Sequence, residues 1–161
     1  MTYSRKGFTL VELLISIAII GIISSIVLGN IASSKQKGTD ALIKSNMHDA
    51  RTAAELYYGD NGNSYAGVCG SIPSPNGGKT LEYNLLKAQE AWGTTTQPLN
   101  ISLSTAGAFD IVTCHENGSN YAAETPLKGT SSGAPLMWCI DSGGAARIVT
   151  ANLEANEVAC E

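Results

Sequence analysis

The sequence predicts an α+β fold in which one long N-terminal helix packs on a small antiparallel sheet of about four strands. From Leu13 to Ser34, 22 consecutive residues carry no charge. The stretch from Lys35 to Tyr58 contains no proline and spaces its apolar residues as an amphipathic helix does. Short runs of β-forming residues, separated by glycine-rich turns, then fill the last third of the 161-residue chain.

The uncharged run predicts a membrane-spanning segment near the N-terminus. Charged residues make up only 15% of the chain, although the hydrophobic fraction of 43% is ordinary. At about 1.5 Å per helical residue the run reaches roughly 33 Å, which is enough to cross a bilayer core of about 30 Å. Arg5 and Lys6 precede it and no cation follows until Lys35. The N-terminus is therefore expected in the cytoplasm, with the remainder exported.

A short motif stands at the entrance of this run. A leader with Arg5 and Lys6 ends in Gly7, and Phe8-Thr9-Leu10-Val11-Glu12 follows. A carboxylate in an apolar segment costs at least ~2.5 kcal/mol, so Glu12 needs a partner. Together these residues resemble the processing motif of type IV pilins and pseudopilins. The resemblance implies that residues 1–7 are a leader, that prepilin peptidase cuts between Gly7 and Phe8, and that Phe8 becomes N-methylated.

The resemblance also implies how subunits would assemble. A buried amine and a buried carboxylate are each costly alone and tolerable together. In the family, the residue at the place of Glu12 meets the α-amine of a neighbour, here Phe8, and sets the register of a fibre. The alternative role for Glu12 is recognition by the peptidase or the membrane platform. Gly21, Ser25 and Gly29 form a strip of small residues that predicts close helix packing, although such residues are also common in membrane helices.

The second half of the helix is expected to lie on the sheet. Its apolar stripe consists of Ile43, Met47, Ala50, Ala54 and Tyr57, widened by Leu42, Ala53 and Leu56. Pairs spaced i,i+4 on other faces predict ion pairs, namely Asp40 with Lys44 and Arg51 with Glu55. The helix is predicted from Thr9 to Tyr58 and is ended by residues 59–62. Residues 8–34 would form the membrane and fibre-core half, and residues 35–161 an exported head domain.

Residues 60–106 are predicted to connect helix and sheet. They include the glycine- and proline-rich stretch 71–78 and a short helix over Lys79–Trp92. The predicted strands are Ala108–Cys114, Tyr121–Leu127, Ala134–Asp141 and Ala145–Thr150, with a five-residue hairpin loop at 129–133. Residues 151–161 are expected to lack regular structure.

Four cysteines lie beyond the membrane segment and predict two disulfides in an oxidising compartment. Three connectivities are possible with four cysteines. The favoured one joins Cys139 to Cys160, which would pin the C-terminal residues to the sheet, and Cys69 to Cys114. The C-terminal bridge resembles the disulfide-bounded loop of many type IV pilins, whereas major pseudopilins of type II secretion usually lack such a bridge.

The predicted function is structural and not enzymatic. His48 and His115 have no partner in a recognisable catalytic pattern, and no metal site or cofactor is expected. The net charge of −4, which becomes more negative once the leader is removed, argues against general nucleic-acid binding.

By resemblance, the chain is expected to polymerise with itself into a surface pilus. Its other expected partners are the prepilin peptidase, the inner-membrane assembly platform with its ATPase, and minor pilins. Before assembly it would be a single-pass inner-membrane protein. The alternatives are a pseudopilin of a type II secretion system and a minor or competence pilin.

Overall fold

A computed structural model describes residues 7–70, 79–93, 98–131 and 133–161, with the backbone alone at 28–30. Arg5 and Lys6, which belong to the predicted leader, and the stretch 71–78 lie outside the described residues. The chain divides into two compact units, one ending at Lys35 and one spanning Gln36–Glu161. The predicted α+β fold is confirmed, because a long N-terminal helix is followed by a four-stranded antiparallel sheet.

Helix α1 spans Leu10–Asp60, two residues beyond the predicted end. The chain reverses just after it, where Gly62 and Asn63 adopt positive φ angles of 66° and 61°. The backbone N–H of Asn63 there donates to the carbonyl of Tyr58 at 3.0 Å. A glycine reaches this left-handed conformation without a Cβ clash, so the turn forms at Gly62 and not at Gly59.

Helix α2 spans Leu81–Trp92 and matches the short helix predicted in the connecting region. The Thr80 hydroxyl accepts from the backbone N–H of Tyr83 at 3.1 Å and caps its start. Gly93, with φ 105°, is the C-cap of the helix. Leu81, Leu85 and Ala88 are buried in the main core, so α2 covers part of the sheet and α1.

The sheet is a meander with strand order β1-β2-β3-β4. Its strands are β1 Thr113–Glu116, β2 Tyr121–Ser131, β3 Ala134–Asp141 and β4 Ala146–Val149. The first predicted strand, Ala108–Cys114, is wrong over most of its length because residues 108–111 form a turn closed by Ile111 N and Ala108 O at 3.2 Å. Beyond Glu124, where β1 pairing stops, β2 reaches Pro126, which has no N–H with which to extend the ladder.

The β2–β3 hairpin has a shorter connection than the predicted five-residue loop. A register shift between Pro126 and Thr130 lets pairing resume, and Ser131 then lies opposite Ala134. Of the two residues between these strands, Ser132 lies outside the described residues and Gly133 has φ 83°.

Both faces of the sheet are covered. On one face, Tyr121, Ala123 and Ile140 pack with the fully buried side chains of α1, namely Ile43, Met47, Ala50 and Ala54. The predicted apolar stripe is thus confirmed at its centre, whereas Leu42 and Leu56 are 54% and 67% exposed. Alternation along β2 places Ala122 on the other face. There it packs with Met137, Cys139, Val149, Leu153 and Cys160.

Candidate functional site

The N-terminus of α1 is a capping box that uses the motif glutamate. The Glu12 Oε2 atom accepts from the backbone N–H and the hydroxyl of Thr9, both at 2.9 Å. The Thr9 hydroxyl in turn accepts from the backbone N–H of Glu12 at 3.2 Å. Thr-x-x-Glu is the sequence signature of this reciprocal arrangement, so the signal was present in residues 9–12, although the roles predicted for Glu12 were fibre register and recognition by the peptidase or the membrane platform.

The apolar half of α1 exposes its side chains on all sides. Among the described residues, Leu10–Val27 is the one helical stretch long and apolar enough to cross a membrane, with a mean hydropathy of 2.6 and no part of it buried. Phe8, immediately before the helix, is 86% exposed. A surface of this kind needs lipid or other apolar helices around it.

The predicted strip of small residues lies within this stretch of helix. No side chain or remote backbone atom lies within 4 Å of the place a Cβ would take on Gly21. The Ser25 hydroxyl donates to the carbonyl of Ile22 at 2.8 Å, and that of Ser16 to Glu12 O at 2.7 Å. Their donors are therefore satisfied within the helix, which removes most of their cost in an apolar surrounding. Gly29 belongs to the same helix.

Two disulfides fasten the head, in the connectivity that the sequence analysis favoured. Cys69 is joined to Cys114, which ties the connecting region to β1, and Cys139 is joined to Cys160, which ties the C-terminal residues to β3. The Cys160 backbone N–H also donates to the Asp141 carboxylate at 2.9 Å. The other oxygen of Asp141 accepts from Ala145 N at 2.8 Å, so this residue supports both the β3–β4 turn and the chain end.

Two buried polar side chains under the chain end were missed by sequence reasoning. Glu124 is fully buried on β2 and accepts from the backbone N–H of Leu153 at 3.0 Å. Burial raises the pKa of its carboxyl to about 7. His115, for which the sequence predicts no catalytic partner, is fully buried, and its ring nitrogens lie 3.0 Å from Glu157 O and 2.9 Å from Thr105 O. The available signal for Glu124 was a lone carboxylate within a predicted strand.

The two ion pairs predicted from i,i+4 spacing on α1 are not formed, and the four side chains contact other parts of the chain. The Asp40 carboxylate accepts from the backbone N–H groups of Lys128 and Gly129 at 2.6 and 3.0 Å. Lys44 lies over the ring of Trp138, 4.8 Å from its centroid. These α1 side chains hold the sheet, and the predicted pairing along the helix is wrong.

The second predicted pair is replaced in the same way. Arg51 donates to Gly144 O at 3.1 Å, and Glu55 accepts from the Tyr65 hydroxyl at 3.1 Å. Glu55 therefore binds the connecting region, while Arg51 reaches the turn between β3 and β4. Among the residues that the structure describes, no group of three or more His, Cys, Asp or Glu side chains could hold a metal ion.

Comparison with known proteins agrees with this architecture. A family profile described as the prokaryotic N-terminal methylation motif matches residues 3–28. The chain is 30% identical over 130 residues to the type IV wide pilus major component PilA4 of Thermus thermophilus, covering 78% of this chain and 86% of that protein.

A second relative belongs to a secretion system. The type II secretion system core protein G of Pectobacterium carotovorum subsp. carotovorum is 29% identical over 108 residues, covering 61% of this chain and 69% of that protein. No solved structure gives a significant match. The methylation motif, the long N-terminal helix, the small antiparallel sheet and these relatives together show that the chain belongs to the type IV pilin and pseudopilin family, and that it is a structural subunit of that family.

Proposed function

We propose that the chain is a subunit of a type IV pilus, which polymerises through the first half of α1 into a fibre at the cell surface. The observation that carries this proposal is the uncovered apolar surface of Leu10–Val27. Such a surface suits lipid before assembly and identical neighbouring helices afterwards. The chain aligns with 86% of a pilus major component, which supports a pilus over other assemblies.

Processing would create the subunit that assembles. Residues 1–7 are the proposed leader, cut by prepilin peptidase between Gly7 and Phe8, after which the Phe8 amine is methylated. Phe8 is exposed and precedes the first helical residue, which supports access of an enzyme to this bond. Residues 8–34 then form the fibre core and 35–161 the exported head. Before assembly the N-terminus lies in the cytoplasm and the helix spans the inner membrane.

Glu12 would have two roles, one within its own chain and one between neighbouring subunits. Its Oε2 atom is satisfied by Thr9 within the chain, which lowers the cost of carrying a carboxylate in the membrane. Its Oε1 atom has no hydrogen-bond partner among the described residues and is available to the Phe8 amine of a neighbour, which would set the fibre register. Gly21, Ser25 and Gly29 would let neighbouring helices approach closely.

The second candidate is a pseudopilin of a type II secretion system, and core protein G favours it specifically. The Cys139–Cys160 bridge supports the pilus instead, because a bridge of this kind resembles that of many pilins. A minor or competence pilin would be processed in the same way. In each case the partners are other copies of the chain or related pilins, the peptidase, and the inner-membrane platform with its ATPase. Catalysis and general nucleic-acid binding are not part of the proposal.

The test is assembly of a Glu12→Ala subunit in the cell that makes it. Processing should proceed, so that the mature chain begins at N-methylated Phe8, but sheared surface fractions should contain no fibres. Ser16→Ala is the matched control, since it removes a polar group one helical turn further on, and it should still assemble. Normal fibres from Glu12→Ala would refute the register role. Wild-type chain that is processed but confined to the membrane fraction, with no sheared fibres, would favour the pseudopilin.

A further inference from the structure

The C-terminal segment, Ala151–Glu161, lies on the face of the sheet that α1 leaves open. Leu153 and Cys160 pack there against Met137 and Cys139. Backbone contacts add to this cover, because Gly107 N donates to Leu153 O at 2.7 Å and Asn156 N donates to Leu103 O at 2.6 Å. The segment is thus held by few apolar side chains and by a set of polar contacts, together with the Cys139–Cys160 bond near its end.

Glu124 lies beneath this cover with only half of its carboxylate satisfied. Its Oε2 atom accepts from Leu153 N, whereas Oε1 has no partner among the described residues. The side chain lines a cavity of ≈ 30 Å³, about the volume of one water molecule, together with Asn152, Glu157 and Glu161. Burial and the nearby Glu157 carboxylate both raise the pKa of Glu124. An ionised Glu124 would therefore be a poorly compensated charge under the segment.

His115 binds the same segment from β1. Its Nδ1 atom faces the carbonyl oxygen of Glu157 and its Nε2 atom faces that of Thr105. Both oxygens are acceptors, and a neutral imidazole carries one N–H only. The ring therefore lies between the loop before β1 and the C-terminal segment and can donate to a carbonyl of either one.

The other charged groups around Glu124 do not neutralise it. From β3, Asp141 accepts from Cys160 N, and from β4, Arg147 donates to Cys160 O. From the segment itself, the Glu157 carboxylate accepts from Glu154 N at 2.6 Å, and Glu161 lines the cavity as a further anion. Each of these groups either binds backbone or adds negative charge. Within the closed structure, Glu124 therefore avoids an uncompensated charge by taking up a proton.

We propose that the C-terminal segment is a proton-responsive cover. It is closed on the sheet while Glu124 is uncharged, and it opens when that carboxyl loses its proton. Opening hydrates the Glu124 carboxylate. The Cys139–Cys160 bond keeps the opened segment attached, so the outer face of the head changes without unfolding of the sheet. The surface that a pilus or pseudopilus presents would then differ between acidic and neutral surroundings.

Amide hydrogen exchange of the full chain in detergent micelles, with the disulfides intact, tests this cover. After correction for the intrinsic effect of pH, protection of the Leu153 and Asn156 amides should fall between pH 4.5 and pH 8. Glu124 alone sets a ceiling of about 300-fold for this fall, because its pKa in the closed state is about 7 and the ordinary value is 4.5. Ala123 and Ile140, in the sheet, should keep their protection. Equal protection of the segment at both pH values would overturn the proposal.

Glu124→Gln separates titration from mere loss of contact. The amide keeps an oxygen acceptor for Leu153 N but cannot ionise, so protection at pH 8 should rise to nearly the wild-type value at pH 4.5. Glu154→Gln is the matched control, since it removes an exposed carboxylate from the same segment, and its pH response should stay that of the wild type. A Glu124→Gln protein with an unchanged pH response would refute the role of Glu124.

Discussion

Asp40 offers a direct test of how the sheet is fastened to α1. Its carboxylate accepts from two backbone N–H groups of β2, those of Lys128 at 2.6 Å and Gly129 at 3.0 Å. A hydrogen bond to a charged group contributes about 1.5–3 kcal/mol, and the partial exposure of Asp40 places each bond near the lower figure. Asp40→Ala removes both bonds and should lower the free energy of unfolding by about 3 kcal/mol. Asp40→Asn keeps one acceptor oxygen and should cost about 1.5 kcal/mol.

The assay is denaturant unfolding of the full chain in detergent micelles, followed by the fluorescence of Trp92 and Trp138. Asp49→Asn is the control, because it removes an exposed carboxylate from the same helix and should change stability by less than about 0.5 kcal/mol. Lys44→Met separates the two interpretations of Asp40. Since Lys44 lies over Trp138 and does not pair with Asp40, its loss should cost about 0.5–1 kcal/mol.

Two results would refute this reasoning about Asp40. One is an Asp40→Asn protein as stable as the Asp49→Asn control. The other is a double variant of Asp40 and Lys44 that is no less stable than the Asp40 variant alone, which is the outcome expected if the two side chains acted mainly as a pair.

Three further predictions concern the rest of the head. Because burial raises the pKa of Glu124 to about 7 in the folded chain, the contribution of this residue to stability should be largest below pH 4.5 and fall by up to about 3 kcal/mol as the pH rises to 7; the difference in unfolding free energy between the wild type and Glu124→Gln should change by that amount over this range. Replacing Cys139 and Cys160 by serine should cost about 3 kcal/mol in the chain-entropy model, measured without reductant so that Cys69–Cys114 stays intact; a variant as stable as the wild type would contradict this role of the bond. Met47→Ala should cost about 2–5 kcal/mol in thermal or denaturant unfolding, whereas Leu42→Ala, at an exposed site, should cost well under 1; equal losses would contradict the assigned burial.

Features with a local cause could be predicted from the sequence. The apolar run, the stripe through Ile43 and Met47, and strand β3 follow from hydrophobic spacing within one element. The Thr9–Glu12 cap is equally local, and its signature three residues apart was available to sequence reasoning. The disulfide connectivity was left open among three by the sequence, and the structure contains the favoured one.

Side-chain partners far apart in sequence could not be predicted in this way. Asp40 and Lys44 have suitable spacing for a pair on a helix, but Asp40 binds a strand 88 residues away. The start of β1 was misplaced because strand propensity does not reveal where the partner strand reaches Pro126. Both outcomes depend on the register of the sheet against its neighbours, which a single window of sequence does not contain.

By itself, the sequence determined the type of protein: Gly7, Phe8 and Glu12 ahead of an apolar run have the pattern of the pilin and pseudopilin family. Only the tertiary structure decided which polar side chains beyond residue 35 are buried and what they contact. Strand alternation predicts two faces, but it cannot tell that the C-terminal segment covers the second one. That cover turns Glu124 from an ordinary strand carboxylate into a buried acid, because the dielectric around a side chain depends on everything packed against it.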